Sequence, residues 1–351
     1  MHQSKSKRTN REHRSCAAAR RVAVSTSDES SALNKDQETQ MNVNPRRAVV
    51  VGAGPVGRET ARVLSEAGHT VTVVTRSGRT SGVDGVAAVA ADASDPASLA
   101  TVVDGADALL NCANPKDYTV WDQVWPPLAA SLLTTAERTG ATLVTAASLY
   151  PYGPVDEPMT EGMPDVATDH KGRLRAQMWA DAKAAHDAGR LHAVEVRASD
   201  YLGTGVGQNG HVSRQLPTAV KGRAAWMVGN PDLPHTFTDV TDVARTLAAV
   251  AFEPAAWGQV WHAVSQPPST QREALNGALA AVGAAPVTVH GIPATVFRLG
   301  GLANAMMREL SEMSYIFTRP YVMDSSRTQA ALGLAPTPWA DILRRTGEGN
   351  R

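Results

Sequence analysis

The sequence predicts an α/β fold, with a doubly wound parallel sheet and a smaller C-terminal lobe. Through residue 147, short β-branched and apolar runs alternate with stretches whose apolar residues follow helical spacing. This alternation is typical of right-handed βαβ units, which build parallel sheets. Beyond residue 148 the predicted strands are shorter and are interleaved with helices and loops. We expect such insertions to form a second lobe over the mouth of the sheet.

The first βαβ unit carries a glycine-rich turn between its strand and its helix. Residues 48–51 predict a buried strand, and the apolar positions after it follow helical spacing up to Gly68. Glycines in this context permit a tight turn and the close approach of a pyrophosphate, which the helix N-terminus attracts. The predicted dinucleotide-binding residues of the turn are Gly52, Gly54, Pro55, Val56 and Gly57. A tight strand–helix turn that binds nothing is the alternative.

The end of the second predicted strand, residues 70–75, bears on the choice of dinucleotide. An acidic side chain here would accept hydrogen bonds from the ribose hydroxyls, but the sequence places Arg76 there. A guanidinium pairs well with a 2′-phosphate. The sequence therefore favours NADP(H) and leaves NAD(H) possible, whereas a solvated loop arginine is the structural alternative.

Later strands add residues to the same edge of the predicted sheet. Strands are predicted at residues 86–91, 107–112, 141–147 and 191–198. Ligands collect at the carboxyl ends of parallel strands. The residues that these ends add to the predicted site are Asp92, Ala113, Ser148 and Arg197. Two interpretations of Asp92 remain: it borders the adenine of the dinucleotide, or it is an acidic loop residue with no ligand.

Composition narrows the class of protein. Of 351 residues, 43% are hydrophobic, and 34 basic residues balance 34 acidic ones, so nothing in the charge favours nucleic acid or a membrane surface. No apolar run is long enough to cross a bilayer. Cys112 lies in an apolar predicted strand and Cys16 in a polar segment, which argues against a disulfide between them. The cysteine usage therefore favours a reducing, cytoplasmic location. No spacing of His, Cys, Asp and Glu suggests a metal site.

Three regions are predicted along the chain. Residues 1–44 are polar and lack aromatic side chains, which predicts a disordered N-terminal extension. A targeting segment and an over-long start before Met41 are the alternatives. Residues 45–200 form the predicted dinucleotide-binding domain. Residues 201–351 are a mixed region that completes the sheet and forms the substrate lobe, where a helix at about 293–313 closes the pocket or packs against a partner in a homodimer.

Several stretches together resemble the short-chain dehydrogenase/reductase superfamily, in its extended or atypical branch of NAD-dependent epimerase/dehydratase-like proteins. They are the glycine turn and residues 145–154, 196–203, 235–244 and 324–334. The resemblance implies a Rossmann-type domain of seven or so parallel strands and a small substrate lobe. It also implies hydride transfer with a nicotinamide, and an active-site serine at the end of the fifth strand, which Ser148 matches.

The sequence departs from this family at the Tyr-x-x-x-Lys pair, because no tyrosine lies between residues 153 and 200. Family register places Lys171 in the tyrosine position and Arg175 in the lysine position, and a slip of one residue would place His170 first. Lys171, His170 or the loop residue Tyr150 would then handle the proton. The sequence predicts an NADP(H)-dependent oxidoreductase or epimerase-like enzyme for a small carbonyl or hydroxyl substrate. The alternative is a non-catalytic NADP(H) sensor with a solvated basic helix face.

Overall fold

The computed structural model describes residues 44–349, except residues 80 and 116, and the side chain of Leu310. Residues 1–43 of the predicted N-terminal extension, which include Cys16, therefore lie outside the described residues. No helix in the described part of the chain is long and apolar enough to cross a membrane.

Eleven strands are present in the described residues. They are β1 (Arg47–Val51), β2 (Thr70–Thr75), β3 (Ala87–Ala90), β4 (Ala108–Asn111), β5 (Thr142–Ser148), β6 (Ala193–Ala198), β7 (Asp200–Leu202), β8 (Ala225–Val228), β9 (Phe237–Asp239), β10 (Val260–His262) and β11 (Val289–Ile292). Seven of them form one parallel sheet in the order β10-β6-β5-β4-β1-β2-β3. The predicted parallel sheet is confirmed, and its seventh strand, β10, comes from the 201–351 region.

Twelve α-helices connect or flank the strands within the same residues. They are α1 (Pro55–Glu66), α2 (Pro96–Val103), α3 (Trp121–Thr139), α4 (His170–Asp187), α5 (Leu216–Ala219), α6 (Val240–Ala251), α7 (Gln271–Ala281), α8 (Ala294–Gly300), α9 (Ala305–Glu312), α10 (Tyr315–Thr318), α11 (Ser326–Leu332) and α12 (Trp339–Glu348).

Two apolar cores cover the two faces of the large sheet. In β1, Ala48 and Val50 pack into a core shared with α1 and α6. The alternate residues Val49 and Val51 pack into the opposite core, shared with α2, α3 and α4. Successive side chains of a strand point to opposite faces, so a strand buried on both sides needs a continuous apolar run. This explains the unbroken run that predicted β1.

The second lobe is built on two small parallel sheets, in which β7 pairs with β9 and β8 pairs with β11. Leu216, Leu275 and Ile342 bring α5, α7 and α12 into one core beneath β8 and β11. Another core joins the segment after Ser148 to α10, through Leu149 and Phe317 among others. The lobe is thereby held against the edge of the large sheet at which its strands end.

The single helix predicted at about 293–313 is wrong, because the structure has two helices, α8 and α9, in its place. Asn304 begins α9 by accepting a hydrogen bond from the Met307 amide at 3.1 Å, which is the action of an N-cap. A side chain at Gly301 would lie 2.9 Å from the Arg308 Cα, so this glycine allows the two helices to pack closely. The apolar spacing runs through the break and therefore concealed it.

A buried histidine ties β10 to both lobes. The Tyr152 hydroxyl lies 2.8 Å from His262 Nε2, and the carbonyl oxygen of Asp324 lies 2.6 Å from Nδ1. A carbonyl only accepts, so Nδ1 carries the proton and Nε2 accepts from the tyrosine. Burial lowers the pKa of His262 from 6.5 to about 4.

This histidine is expected to make folding stability depend on pH. Its folded pKa lies below its unfolded one, so its contribution is present above pH 6.5 and is lost as the pH falls towards 4. We expect His262→Gln to lower the slope of the unfolding free energy against pH in this window by about 1.4 kcal/mol per pH unit. This is the slope produced by one proton that the unfolded chain binds and the folded protein does not. Urea unfolding at several pH values measures the slope. The exposed His290, changed to Gln, is the control, and an equal slope in wild type and His262→Gln would contradict the assignment.

Candidate functional site

A cavity of about 360 Å³ lies where the strands of the large sheet end and the second lobe covers them. Four residues that the sequence predicted for the site line it, namely Val56, Ala113, Ser148 and Tyr150. The second lobe contributes Met306, Met313, Ile316 and Phe317 to the opposite wall. The structure therefore brings the glycine turn, the serine and the first loop tyrosine to one space.

The glycine turn is shaped by close backbone packing on one side and by open space on the other. Gly52 has a φ of +101°, and a side chain there would lie 3.0 Å from the backbone of Ala113. A side chain at Gly57 would overlap the carbonyl oxygen of Gly52. At Gly54, which precedes Pro55 at the start of α1, a side chain would meet nothing within 4 Å. The amides at this helix start are therefore open to a ligand.

Ser148 and Tyr150 present hydroxyl groups to the cavity. Ser148 ends β5, and its buried Oγ has no hydrogen-bond partner among the described residues. The Tyr150 hydroxyl lies 3.2 Å from that of Tyr118, which sequence reasoning missed. Burial raises the pKa of Tyr150 well above its ordinary value, so the hydroxyl keeps its proton at neutral pH. Both groups are in a state to donate a hydrogen bond to a substrate oxygen.

Lys171 is buried but does not line this cavity. Only 1% of its side chain is exposed, and its ammonium bonds to Glu309 and, at 3.2 Å, to Glu312, both on α9. Gly172 beside it has no side chain, and one there would lie 2.6 Å from the Tyr150 carbonyl oxygen. The start of α4 is thereby packed against the loop after Ser148. The alternative of a solvated helix face does not hold for Lys171, whose ammonium joins α4 to α9.

His170, the alternative to Lys171 as proton donor, lies outside this cavity as well. Its ring contacts Asp122 on α3, and about half of its side chain is exposed to solvent. It lines a second, more open space together with Lys171.

Arg175, which the family register predicts in the lysine position, lines the cavity. Its Nη2 donates to the Ala146 carbonyl at 3.2 Å, and its guanidinium stacks over Trp125 at 4.3 Å. Its Nη1 is buried and has no partner within the described chain. An unpartnered buried donor of this kind is costly unless a ligand supplies an acceptor.

The side chain of Arg197 is held away from the cavity. Asp165 binds its two terminal nitrogens at 2.6 and 2.9 Å, and Glu195 binds its Nε at 2.8 Å. The Arg197 side chain is therefore not available to a ligand in this cavity. The neighbouring Ala198 and Ser199 do line the cavity.

Arg76 and Asp92 follow β2 and β3 and are both exposed. The carboxylate of Asp92 accepts hydrogen bonds from the Ser94 hydroxyl at 2.6 Å and amide at 2.9 Å. These bonds, with a smaller contribution from the charge of Arg76, lower the pKa of Asp92. The Arg76 guanidinium has no partner bonded to it in the described residues that would keep it from an anionic ligand.

A cluster of ionisable residues lies at the cavity, and two of its members, Asp200 and Arg214, were not predicted for the site. Asp200 Oδ2 lies 2.9 Å from His235 Nε2, and His211 and Arg214 line the cavity nearby. Burial alone would raise the pKa of Asp200, but His211, His235 and Arg214 together lower it to about 2. Burial lowers the pKa of His211 to about 4. The expectation that ligands collect at strand ends could have identified Asp200, because it lies two residues after the sixth predicted strand.

The described residues contain no group of three or more His, Cys, Asp or Glu side chains that could hold a metal ion.

Comparisons with known proteins give the chain its family. It is 32% identical over 147 residues to the shikimate dehydrogenase (NADP(+)) of Haloarcula marismortui; the match covers 37% of this chain and 56% of that enzyme, so the chain spans about half of its length. The dTDP-glucose 4,6-dehydratase of Bacillus anthracis, solved with NAD, superposes with a TM-score of 0.70 at 14% identity, over 87% of this chain and 96% of that one. MoeE5 in complex with UDP-glucose and NAD superposes with a TM-score of 0.69 at 18% identity, over 86% and 98%.

The solved structures show a shared fold. The model of the NAD dependent epimerase/dehydratase family matches residues 48–261, which include the glycine turn, Ser148 and α4. Five strands of the large sheet, β2 to β6, lie fully within this range, and β1 and β10 each lie within it except for one terminal residue. The chain therefore belongs to the NAD dependent epimerase/dehydratase family.

Proposed function

We propose that this protein is an oxidoreductase that uses NADP(H) to interconvert a carbonyl and a hydroxyl group on a small substrate. The observation that carries the proposal is the pair of donors, Ser148 Oγ and the Tyr150 hydroxyl, in one cavity beside an open glycine turn. Ser148 would hold the substrate oxygen by a hydrogen bond. Tyr150 would give that oxygen a proton during reduction and take it back during oxidation.

The residues present fit a dinucleotide. Gly54 leaves open space at the start of α1, where backbone amides would receive the pyrophosphate. The unpartnered Nη1 of Arg175 would donate to a ribose hydroxyl, the task that the family gives to a lysine. A bound nicotinamide would supply or accept the hydride. Both solved neighbours described above contain NAD, which supports a nicotinamide cofactor here.

Tyr150 is a better candidate for the proton donor than Lys171. The Lys171 ammonium is bound by two carboxylates on α9, and its side chain does not line the cavity. Tyr150 lines it, and its phenol group carries a proton that it can donate there. Lys171 is then a positioning residue that holds α9, with Met306, against the cavity.

A turnover assay tests this function. Purified protein with NADPH and a panel of aldehydes and ketones is expected to consume NADPH, followed by absorbance at 340 nm. Tyr150→Phe should lower the rate about 100-fold, since a positioned acid contributes at least that much. Lys171→Met should leave some turnover, because its ammonium does not reach the substrate oxygen. A greater loss in Lys171→Met than in Tyr150→Phe would reverse the assignment.

Arg76 is proposed to set the cofactor preference. Its exposed guanidinium would pair with the 2′-phosphate of NADP(H) in a charge-assisted contact worth about 2 kcal/mol. Fluorescence titration is expected to show NADPH bound at least tenfold more tightly than NADH, and Arg76→Ala should remove the difference. The exposed Arg223, changed to alanine, is the matched control. Equal affinities in the wild-type protein would reject an NADP(H) preference.

A cofactor-binding protein without turnover is the second candidate. In its favour, the family register predicts Lys171 and Arg175 at the positions of the family's Tyr-x-x-x-Lys pair. The Lys171 ammonium is moreover bound in ion pairs with two glutamates. Tight NADPH binding together with no consumption across the panel would favour this sensor. The absence of binding by either dinucleotide would reject both candidates.

A further inference from the structure

We propose that the cavity accepts a small uncharged ketone or aldehyde that carries a single ring, and that it excludes sugar nucleotides. The proposal rests on the proposed function, since it assumes that a nicotinamide shares the cavity. It departs from the UDP-glucose held by MoeE5, a protein of the same fold.

Space is the first argument. Pockets for a single drug-sized ligand measure about 300–1,000 Å³, and this cavity, at about 360 Å³, is at the low end. Its lining includes Val56, Cys112 and Ala113 at the glycine turn, so part of the volume belongs to the cofactor side. The space left on the substrate side is then smaller than about 360 Å³, which favours one ring with its carbonyl group over a nucleotide with its sugar.

The wall formed by the second lobe limits the cavity on the substrate side. Phe317 and Ile316 are buried in the core that joins α10 to the loop after Ser148. α9 lies beside them and is fastened by the ion pairs of Glu309 and Glu312 with Lys171. Because these contacts are buried, the wall cannot yield to a longer ligand without breaking them.

The shape of the remaining space suits a flat ring. Trp121 stacks on Tyr118 with ring centroids 4.8 Å apart, and on Tyr150 at 6.3 Å. These three rings line the same cavity as the apolar side chains of Phe317 and Met313. Aromatic pairs prefer such stacked and edge arrangements, which would place an aromatic ketone within reach of the Tyr150 hydroxyl.

The charged groups at one end of the cavity also bear on the kind of ligand. Asp200 lies at the cavity, and its carboxylate is ionised at neutral pH, because the pKa is lowered to about 2. His211 beside it is uncharged there, since burial lowers its pKa to about 4. Among the lining residues of this end, Arg214 is then the cation that faces a negative Asp200. The opposite charges of Asp200 and Arg214 offset each other, which suits this end of the cavity to an uncharged ligand.

A binding and turnover experiment tests the proposal on the full chain saturated with NADPH. Acetophenone is expected to quench the tryptophan fluorescence, because Trp121 lines the cavity, and to be reduced. UDP-glucose, the matched probe, is expected to do neither.

Phe317→Ala should raise kcat/KM for the two-ring ketone 2-acetonaphthone at least tenfold relative to that for acetophenone. Met306→Ala, at a partly exposed position on the same wall, tests the same shift if Phe317→Ala does not fold, and Phe252→Ala, outside the cavity, is the control.

The outcomes distinguish a failure of the proposed substrate class from a failure of the proposed function. Binding of NADPH with quenching or turnover by UDP-glucose overturns the substrate class and leaves the proposed oxidoreductase standing. Binding of NADPH with no response to acetophenone also overturns the substrate class. Failure to bind NADPH and NADH overturns the proposed function and, with it, the division of the cavity on which this inference rests.

Discussion

Replacing Ser148 with alanine is expected to lower turnover about 100-fold while the affinity for NADPH stays within twofold. A donor that holds the reacting oxygen is worth at least this factor when it is removed. The hydroxyl is buried and has no partner in the described chain, so its removal should cost little or no folding stability. NADPH consumption, fluorescence titration and urea unfolding measure the three quantities separately.

Ser131 offers a matched control. Its Oγ is also buried without a partner among the described residues, but it lies on α3 and does not line the cavity. Ser131→Ala should leave stability, cofactor affinity and turnover unchanged. If Ser148→Ala retained full turnover, Ser148 would have no part in catalysis. If both variants lost activity, the loss would not report on the site.

Replacing Gly57 with alanine is expected to destabilise the fold by about 3 kcal/mol, as measured by urea unfolding. The new methyl group would overlap the Gly52 carbonyl oxygen, so α1 would have to move away from β1. Because Gly52 also packs against the Ala113 backbone, the displacement would reach the cavity. Loss of dinucleotide binding should follow from this distortion.

Gly54→Ala separates the binding role from the structural one. A methyl group at Gly54 meets nothing within 4 Å, so the unfolding free energy should change by less than about 1 kcal/mol. It would occupy the space that a pyrophosphate needs, and we expect NADPH affinity to fall at least tenfold. Unchanged affinity in Gly54→Ala would mean that the turn is architecture and binds no phosphate.

The large sheet could be predicted because both of its faces are buried. Continuous apolar runs such as Val49–Val51, each followed by helical spacing, mark buried parallel strands without reference to distant contacts. The strands β7 and β9 were missed because each has only three residues. Strands this short have no clear sequence pattern, and their pairing is stabilised by tertiary contacts. The break between α8 and α9 was missed for the related reason that apolar spacing continues through it.

The candidate site was predictable where it depends on topology. Ser148 and Ala113 end neighbouring strands, and the structure brings both to the cavity. The roles of Lys171 and Arg197 depend on which acids fold against them, and those acids, Glu309 and Asp165, are remote in sequence. Periodicity carries no record of such partners. Tyr118 was missed for the same reason, since its contact with Tyr150 is made across the fold.

The position of β10 limits how this protein can be divided or recombined. This strand covers one side of β6 at the edge of the large sheet, although it follows β7, β8 and β9 of the second lobe in the chain. A fragment ending near residue 200 would leave the backbone of β6 unpaired, and an open strand edge promotes aggregation. The second lobe therefore cannot be removed or exchanged by cutting the chain at a single position. A chimera that borrows it from a relative must join the two parents at points on both sides of β10.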